Sequence, residues 1–236
     1  MNLNPITMQR YEMNDNLSNP RIVVLNTRAA NVHSVEKALR KVGAIPIVTS
    51  NSKELETADA AVLPGVGTSD AVMKALNTLG LSEPVKKFAK SGKPLLGVCV
   101  GLQVLFESSE EGKLPGLGLI NGNVQLIPSG MTDKLGVAMK VPHIGWNQVM
   151  FNEQGTGNNP IFKGVPQGSH FYFVHSYRCV PEKSSEIAAT TQYGVEVCAA
   201  IVRENIFGTQ FHPEKSGDIG LQIYKNFIDI ARTSEK

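Results

Sequence analysis

The stretch GVCVG, residues 97–101, places a cysteine two positions from a glycine on either side. The apolar run PLLGVC leads in and the helix-like GLQVLFE leads out. Strand, tight turn, helix is the layout of a nucleophile elbow, here with Cys99 in the position of the attacking atom. Small neighbours are needed where the two backbones crowd. Positive charge at the start of the following helix would favour thiolate and steady an oxyanion. The alternative is a buried structural thiol, the commoner fate of cysteine. The chemistry is acyl transfer through a thioester, which calls for a base, an orienting group and oxyanion donors.

A base is available. Of the five histidines, His212 ends the apolar segment FGTQFH, and Glu214 follows two residues on. Residues two apart on an extended chain point the same way, so this carboxylate can set the tautomer of the imidazole. Read alone, His-Pro-Glu is an ordinary loop turn; beside a cysteine elbow it reads as the rest of a triad. LPGVG, residues 63–67, lies between an apolar run and a helical pattern, where backbone N–H groups of Gly65, Val66 and Gly67 can face a cavity. On its own it is a tight turn.

Alternation of strand and helix must position these groups. Strand patterns at 21–26, 45–48, 60–63 and 94–99 alternate with helical periodicity at 31–42, 69–79 and 84–90. That is the signature of a parallel sheet with crossover helices. Pro64 and Gly65 are expected to end the third strand. Beyond residue 114, short β-like pieces and the strands 170–179, 186–193 and 197–214 suggest a mixed or antiparallel extension. A final helix at 218–232 places Ile219, Ile223, Phe227 and Ile230 on one face. The fold class is therefore α/β, an open, mostly parallel sheet flanked by helices. Residues 1–20 read as a flexible leader and 21–236 as one domain.

Composition narrows the partners. The 236 residues are 42% hydrophobic and 19% charged, with a net charge of +2, ordinary values for a globular chain. No basic block suggests nucleic acid, and no apolar run reaches the length of a membrane span. Three cysteines without a CxxC argue against a disulfide framework or zinc and for a reducing cytoplasm. His170 and His175, five apart on a strand, point to opposite faces and make poor metal ligands. Neither a metal nor another cofactor is expected.

Together LLGVCVGLQVLFE, LPGVGTSD and GTQFHPEKS resemble the class I, triad-type glutamine amidotransferases. The resemblance implies Cys99 as nucleophile, His212 as base and Glu214 as its partner. It implies an oxyanion hole from the backbone near Gly67 and Val100. It also implies glutamine binding by Gln103, Glu111 and the run His175-Ser176-Tyr177. PHIGWN (142–147), FYFVHSYR and GLGLINGNV are similar to the branch of glutaminase subunits of imidazole glycerol phosphate synthase. That branch implies a separate (β/α)₈-barrel synthase subunit as partner in a heterodimer. Ammonia would pass through the barrel to a ribotide. The products would be imidazole glycerol phosphate, for histidine, and an aminoimidazole carboxamide ribotide. Asn31, Trp146 and Lys215 are interface candidates, though Trp146 could be packing and Lys215 rim charge. Low activity without the partner is also expected, from an oxyanion strand that rests in an unproductive orientation.

One stretch departs from the family. Where a glycine-containing loop ending in Gly-Asn is usual, residues 26–31 read NTRAAN. Two alanines restrict positive φ and close approach. The departure leaves open a paralogous glutaminase that serves another synthase, such as a sugar amidotransferase.

Overall fold

The computed structural model describes residues 19–28, 30–132, 136–152 and 159–234. Most of the leader expected at 1–20 lies outside them. In chain order the elements are β1 (Ile22–Leu25), α1 (Val32–Lys41), β2 (Ile47–Thr49), α2 (Lys53–Glu56), β3 (Ala60–Gly65), α3 (Ser69–Thr78) and α4 (Ser82–Lys90). There follow β4 (Leu95–Cys99), α5 (Val100–Gln103), β5 (Ser108–Ser109), β6 (Gly122–Leu126), β7 (His143–Gln148) and β8 (Met150–Phe151). The chain continues through β9 (His170–His175), β10 (Tyr177–Pro181), β11 (Ile187–Tyr193), β12 (Val195–Arg203), β13 (Ile206–Thr209) and α6 (Gly217–Thr233).

The main sheet has the strand order β2-β1-β3-β4-β13-β12-β11-β8. The pairs from β2 through β13 are parallel, and those from β13 through β8 antiparallel. Strands β1, β3 and β4 are buried at every position. Their continuous apolar runs suit a sheet covered on both faces. Two small sheets, β10-β6-β5 and β7-β9, complete the β structure among the described residues. Beside the sheet, α1 packs on α6, and α4 on α2 and α3.

Four expectations are corrected. The third strand does not stop at residue 63. Pro64 and Gly65 stay in register with Val98 and Cys99, because the missing N–H of Pro64 costs only one ladder bond. The helix after Cys99 is a single four-residue turn, α5, followed by hydrogen-bonded turns through Phe106. Residues 197–214 are not one strand: β12 turns at Glu204, where φ is 53°, into β13. Finally, the buried stripe of α6 runs through Ile223, Tyr224, Phe227, Ile228 and Ala231, with Ile219 and Ile230 half-buried at its margins. A helix packed between neighbours buries a wider arc than one apolar line.

Candidate active site

The carboxyl ends of β3, β4 and β13 lie side by side, since Gly65 pairs with Cys99 and Val98 with Thr209. Whatever follows each strand must meet there. Val66 and Gly67 follow β3, α5 follows β4, and Gln210 to His212 follow β13. This is where open α/β sheets place their sites.

Cys99 is the hinge of the turn, with φ 55° and ψ −114°. A non-glycine residue in that region is strained by about 1–3 kcal/mol and is held there by its surroundings. The three glycines explain how. A Cβ on Gly65 would lie 2.5 Å from the amide nitrogen of Gly101, and one on Gly97 would lie 2.8 Å from the Gly101 carbonyl oxygen. A Cβ on Gly101 would overlap the carbonyl of Leu63. Gly65 thus packs beneath the elbow and does not face the cavity, whereas Val66 and Gly67 line it. Gly67 has φ 84°, which only glycine adopts freely. Because α5 has four residues, its contribution is the N–H groups of its first turn, Val100 foremost, and not a long helix dipole.

Opposite the thiol, His212 Nδ1 lies 2.7 Å from Glu214 Oε1, and both side chains are 2% exposed. Glu214 Oε2 accepts from the Tyr224 hydroxyl at 3.3 Å. The pair does not meet along an extended chain as the spacing suggested. Pro213–Lys215 is a single 3₁₀ turn, which folds the carboxylate back under the ring. Ser216 Oγ closes this turn on the His212 carbonyl at 2.7 Å. Burial opposes charge on His212, but the Cys99 thiol and then the Glu214 carboxylate outweigh it and raise its pKa to about 9. The Nε2 atom is buried without a hydrogen-bond partner among the described residues. It is left free to take a proton from the thiol or give one to a bound substrate.

Cys99 and His212 line one cavity of about 230 Å³. Val66, Gly67, Val100, Gln103, Glu111, His175, Ser176, Tyr177 and Lys215 line it too, so nearly all of the predicted binding residues converge on one space. Glu111 Oε2 accepts from the Ser69 amide at 2.7 Å. The Glu111 loop is clamped by Asp70, whose carboxylate accepts from the amides of Lys113 and Leu114. Those two bonds hold the pKa of Asp70 below the ordinary range. Lys215 sits over the Tyr172 ring, 5.6 Å from its centroid. Trp146 does not line the cavity. It meets Tyr172 edge-on at 6.2 Å and is 57% exposed, as Ile144 is at 59%. Asn31 lies elsewhere, capping α1 through a long 3.5 Å bond from the Ser34 amide.

One residue of the site, Gln210, escaped the sequence reading, and a second, His143, reads from the sequence only as core or interface. Gln210 is fully buried and donates from Nε2 to the Cys99 sulfur at 3.8 Å. His143 is also buried, with Nδ1 3.1 Å from His175 Nε2 and its ring stacked between Phe173 and Tyr193. For Gln210 the signal was a polar residue inside an apolar strand end, two positions before His212. Among the described residues no group of His, Cys, Asp and Glu could hold a metal ion. None of their helices is long and apolar enough to cross a membrane.

Residues 23–230 match the sequence family described as Glutamine amidotransferase class-I. The fold agrees. A solved glutamine amidotransferase superposes with a TM-score of 0.67 at 20% identity, covering 89% of this chain and 98% of that one. A putative GMP synthase subunit from Thermoplasma acidophilum gives a TM-score of 0.65 at 22% identity, over 92% and 96%. This chain belongs to the class-I glutamine amidotransferases, and is therefore an enzyme. Its branch follows from nearer relatives. The imidazole glycerol phosphate synthase subunit HisH of Syntrophotalea carbinolica is 45% identical over 89% of this chain and 100% of its own length. The subunit of the same name from Acinetobacter baylyi is 46% identical over 89% and 98%. At that likeness the chain is a member of the HisH branch.

Proposed function

We propose that this chain hydrolyses glutamine to glutamate and ammonia through a thioester on Cys99, and supplies the ammonia to a separate synthase subunit. One observation carries the reading: a thiol on a strained elbow shares a small cavity with an imidazole bonded to a buried carboxylate. In the proposed cycle the Cys99 proton passes to His212, and the thiolate attacks the side-chain amide carbon of glutamine. The N–H groups near Gly67 and Val100 take the developing oxyanion. Imidazolium His212 then protonates the departing nitrogen, a role that suits a pKa raised to about 9. Water, deprotonated by the now neutral ring, cleaves the thioester. Gln103, Glu111 and His175 to Tyr177 are assigned to glutamine's polar groups, because they line the remainder of the cavity.

The proposed acceptor comes from the family resemblance, and the relatives' name, imidazole glycerol phosphate synthase subunit, supports it. Ammonia passes to a (β/α)₈-barrel partner that makes imidazole glycerol phosphate and an aminoimidazole carboxamide ribotide, a step of histidine biosynthesis in the cytoplasm. The exposed pair Ile144 and Trp146 beside the cavity supports docking there, since apolar side chains flanking a site are common anchors. Lys215 lies at the same rim.

The deciding experiment measures glutamate released by this chain alone, with a cognate barrel, and with barrel plus ribotide. Strong stimulation by the barrel and its ribotide is expected. Equal activity with and without them would remove the coupling and favour a paralogous glutaminase serving another synthase, the reading that the 26–31 loop left open. In the complex, Cys99→Ala is expected to lower glutamine-dependent turnover by at least about a thousandfold while ammonia-driven synthesis persists. Loss of both would make Cys99 structural.

A further inference from the structure

Tyr177 places one backbone carbonyl at the centre of a buried polar chain. It takes a hydrogen bond from His175 Nδ1 at 2.8 Å and from Gln103 Nε2 at 3.1 Å. A carbonyl only accepts, so both partners must present N–H. That fixes everything downstream. On one side, His175 carries its proton on Nδ1, its Nε2 accepts from His143 Nδ1, and His143 Nε2 accepts from Asn147 Nδ2 at 3.3 Å. On the other, Gln103 turns its amide nitrogen to Gln210 Oε1 at 3.1 Å. Gln210 can then present only its own amide nitrogen to the Cys99 sulfur, at 3.8 Å.

We propose that Gln210 is a further catalytic residue of this site, its side-chain N–H held on the Cys99 sulfur by Gln103 and the Tyr177 carbonyl so as to stabilise the thiolate. The inference rests on the reading of Cys99 as nucleophile. The side chain is fully buried, so water cannot supply the bond in its place. A donor on sulfur favours the charged form, and it complements the imidazolium of His212 across the cavity. When the thiol gives its proton to His212, the Gln210 N–H remains on the sulfur. No bond to Gln210 forms or breaks.

The test follows the rate of iodoacetamide capture at Cys99 against pH in the full chain, by peptide mapping, with buried Cys179 and Cys198 as internal references. Gln210→Met keeps the length and removes the donor. The capture profile is expected to move about one pH unit upward, a tenfold change in the thiolate equilibrium. In the complex with its barrel, kcat for glutamine at neutral pH should fall roughly tenfold, the size of a lost bond to a charged group, with KM little changed. Gln210→Glu preserves the bond from Gln103 and sets a carboxylate against the sulfur, so its profile should move further the same way. It decides the matter if Gln210→Met does not fold. Profiles that coincide with wild type overturn the proposal, even if turnover falls. If the wild-type complex releases no glutamate, the glutaminase reading fails. A displaced capture profile would still support the contact of Gln210 with the thiolate.

Discussion

At the scale of single residues, the site depends on one imidazole and its carboxylate. Glu214→Gln removes the buried charge that orients His212 and, together with the Cys99 contact, favours its protonated form. The expected cost is roughly 10²–10⁴ in kcat with a small change in KM, measured as glutamate release by the complex. The same substitution has a stability signature. A folded pKa of about 9, above the ordinary 6.5, means that the folded state holds a proton which the unfolded chain has lost. The stabilisation is fully present below pH 6.5 and disappears as pH rises through 9. Denaturant titrations should therefore show wild type losing stability across that window, and Glu214→Gln losing less. Parallel curves would show that Glu214 does not set the charge of His212.

At the scale of elements, the elbow is a contact between two strands and a single helical turn. It is closed by the absence of three Cβ atoms. Gly101→Ala would drive a methyl group into the Leu63 carbonyl. A loss of about 1–3 kcal/mol or more is expected, read as a lower midpoint in thermal melting. Cys99 itself stores strain at φ 55°. Both Cys99→Gly and Cys99→Ala remove the thiol, but glycine adopts this conformation freely. The glycine variant should melt higher than the alanine variant by the equivalent of about 1 kcal/mol. If the alanine variant melts higher, the elbow is unstrained.

At the scale of the whole molecule, the antiparallel pair β7-β9 joins an exposed apolar face to the cavity. Alternation along β7 turns Ile144 and Trp146 to solvent and His143 inward onto His175. Burial holds His143 down to about 4, and burial with the neighbouring His143 holds His175 down to about 3 against the pull of the Tyr177 carbonyl. Here the sign reverses. The unfolded chain binds protons that the folded state refuses, so this stability is present above pH 6.5 and is lost as pH falls towards 3–4, at about 1.4 kcal/mol per unit of depression. Replacing His143 by Gln should flatten the acid limb of the stability curve. Trp146→Ala should weaken binding of the barrel by tenfold or more, about 1.4 kcal/mol. It should leave the melting point of the isolated chain nearly unchanged, because the ring is 57% exposed.

Much of this was legible in the sequence, where chemistry is local. The glycines around Cys99 announced a tight turn, the continuous apolar runs announced a buried parallel sheet, and the period of 3.6 announced the helices. The residues proposed as a triad could be picked out as candidates because each lies at a strand end whose neighbours are nearly adjacent in sequence. The chain could not reveal contacts set by strand order. β13 inserts beside β4 from more than a hundred residues away, and only this brings Gln210 onto the Cys99 sulfur and His212 to the same mouth. Nor could it reveal that Gly65 packs under the elbow while Gly67 faces the cavity, since both are simply glycines until register assigns them sides. The proton positions of His143 and His175 belong to the same class. A histidine's tautomer is set by the atom it meets, and here that atom is the carbonyl of Tyr177, which only the folded chain presents.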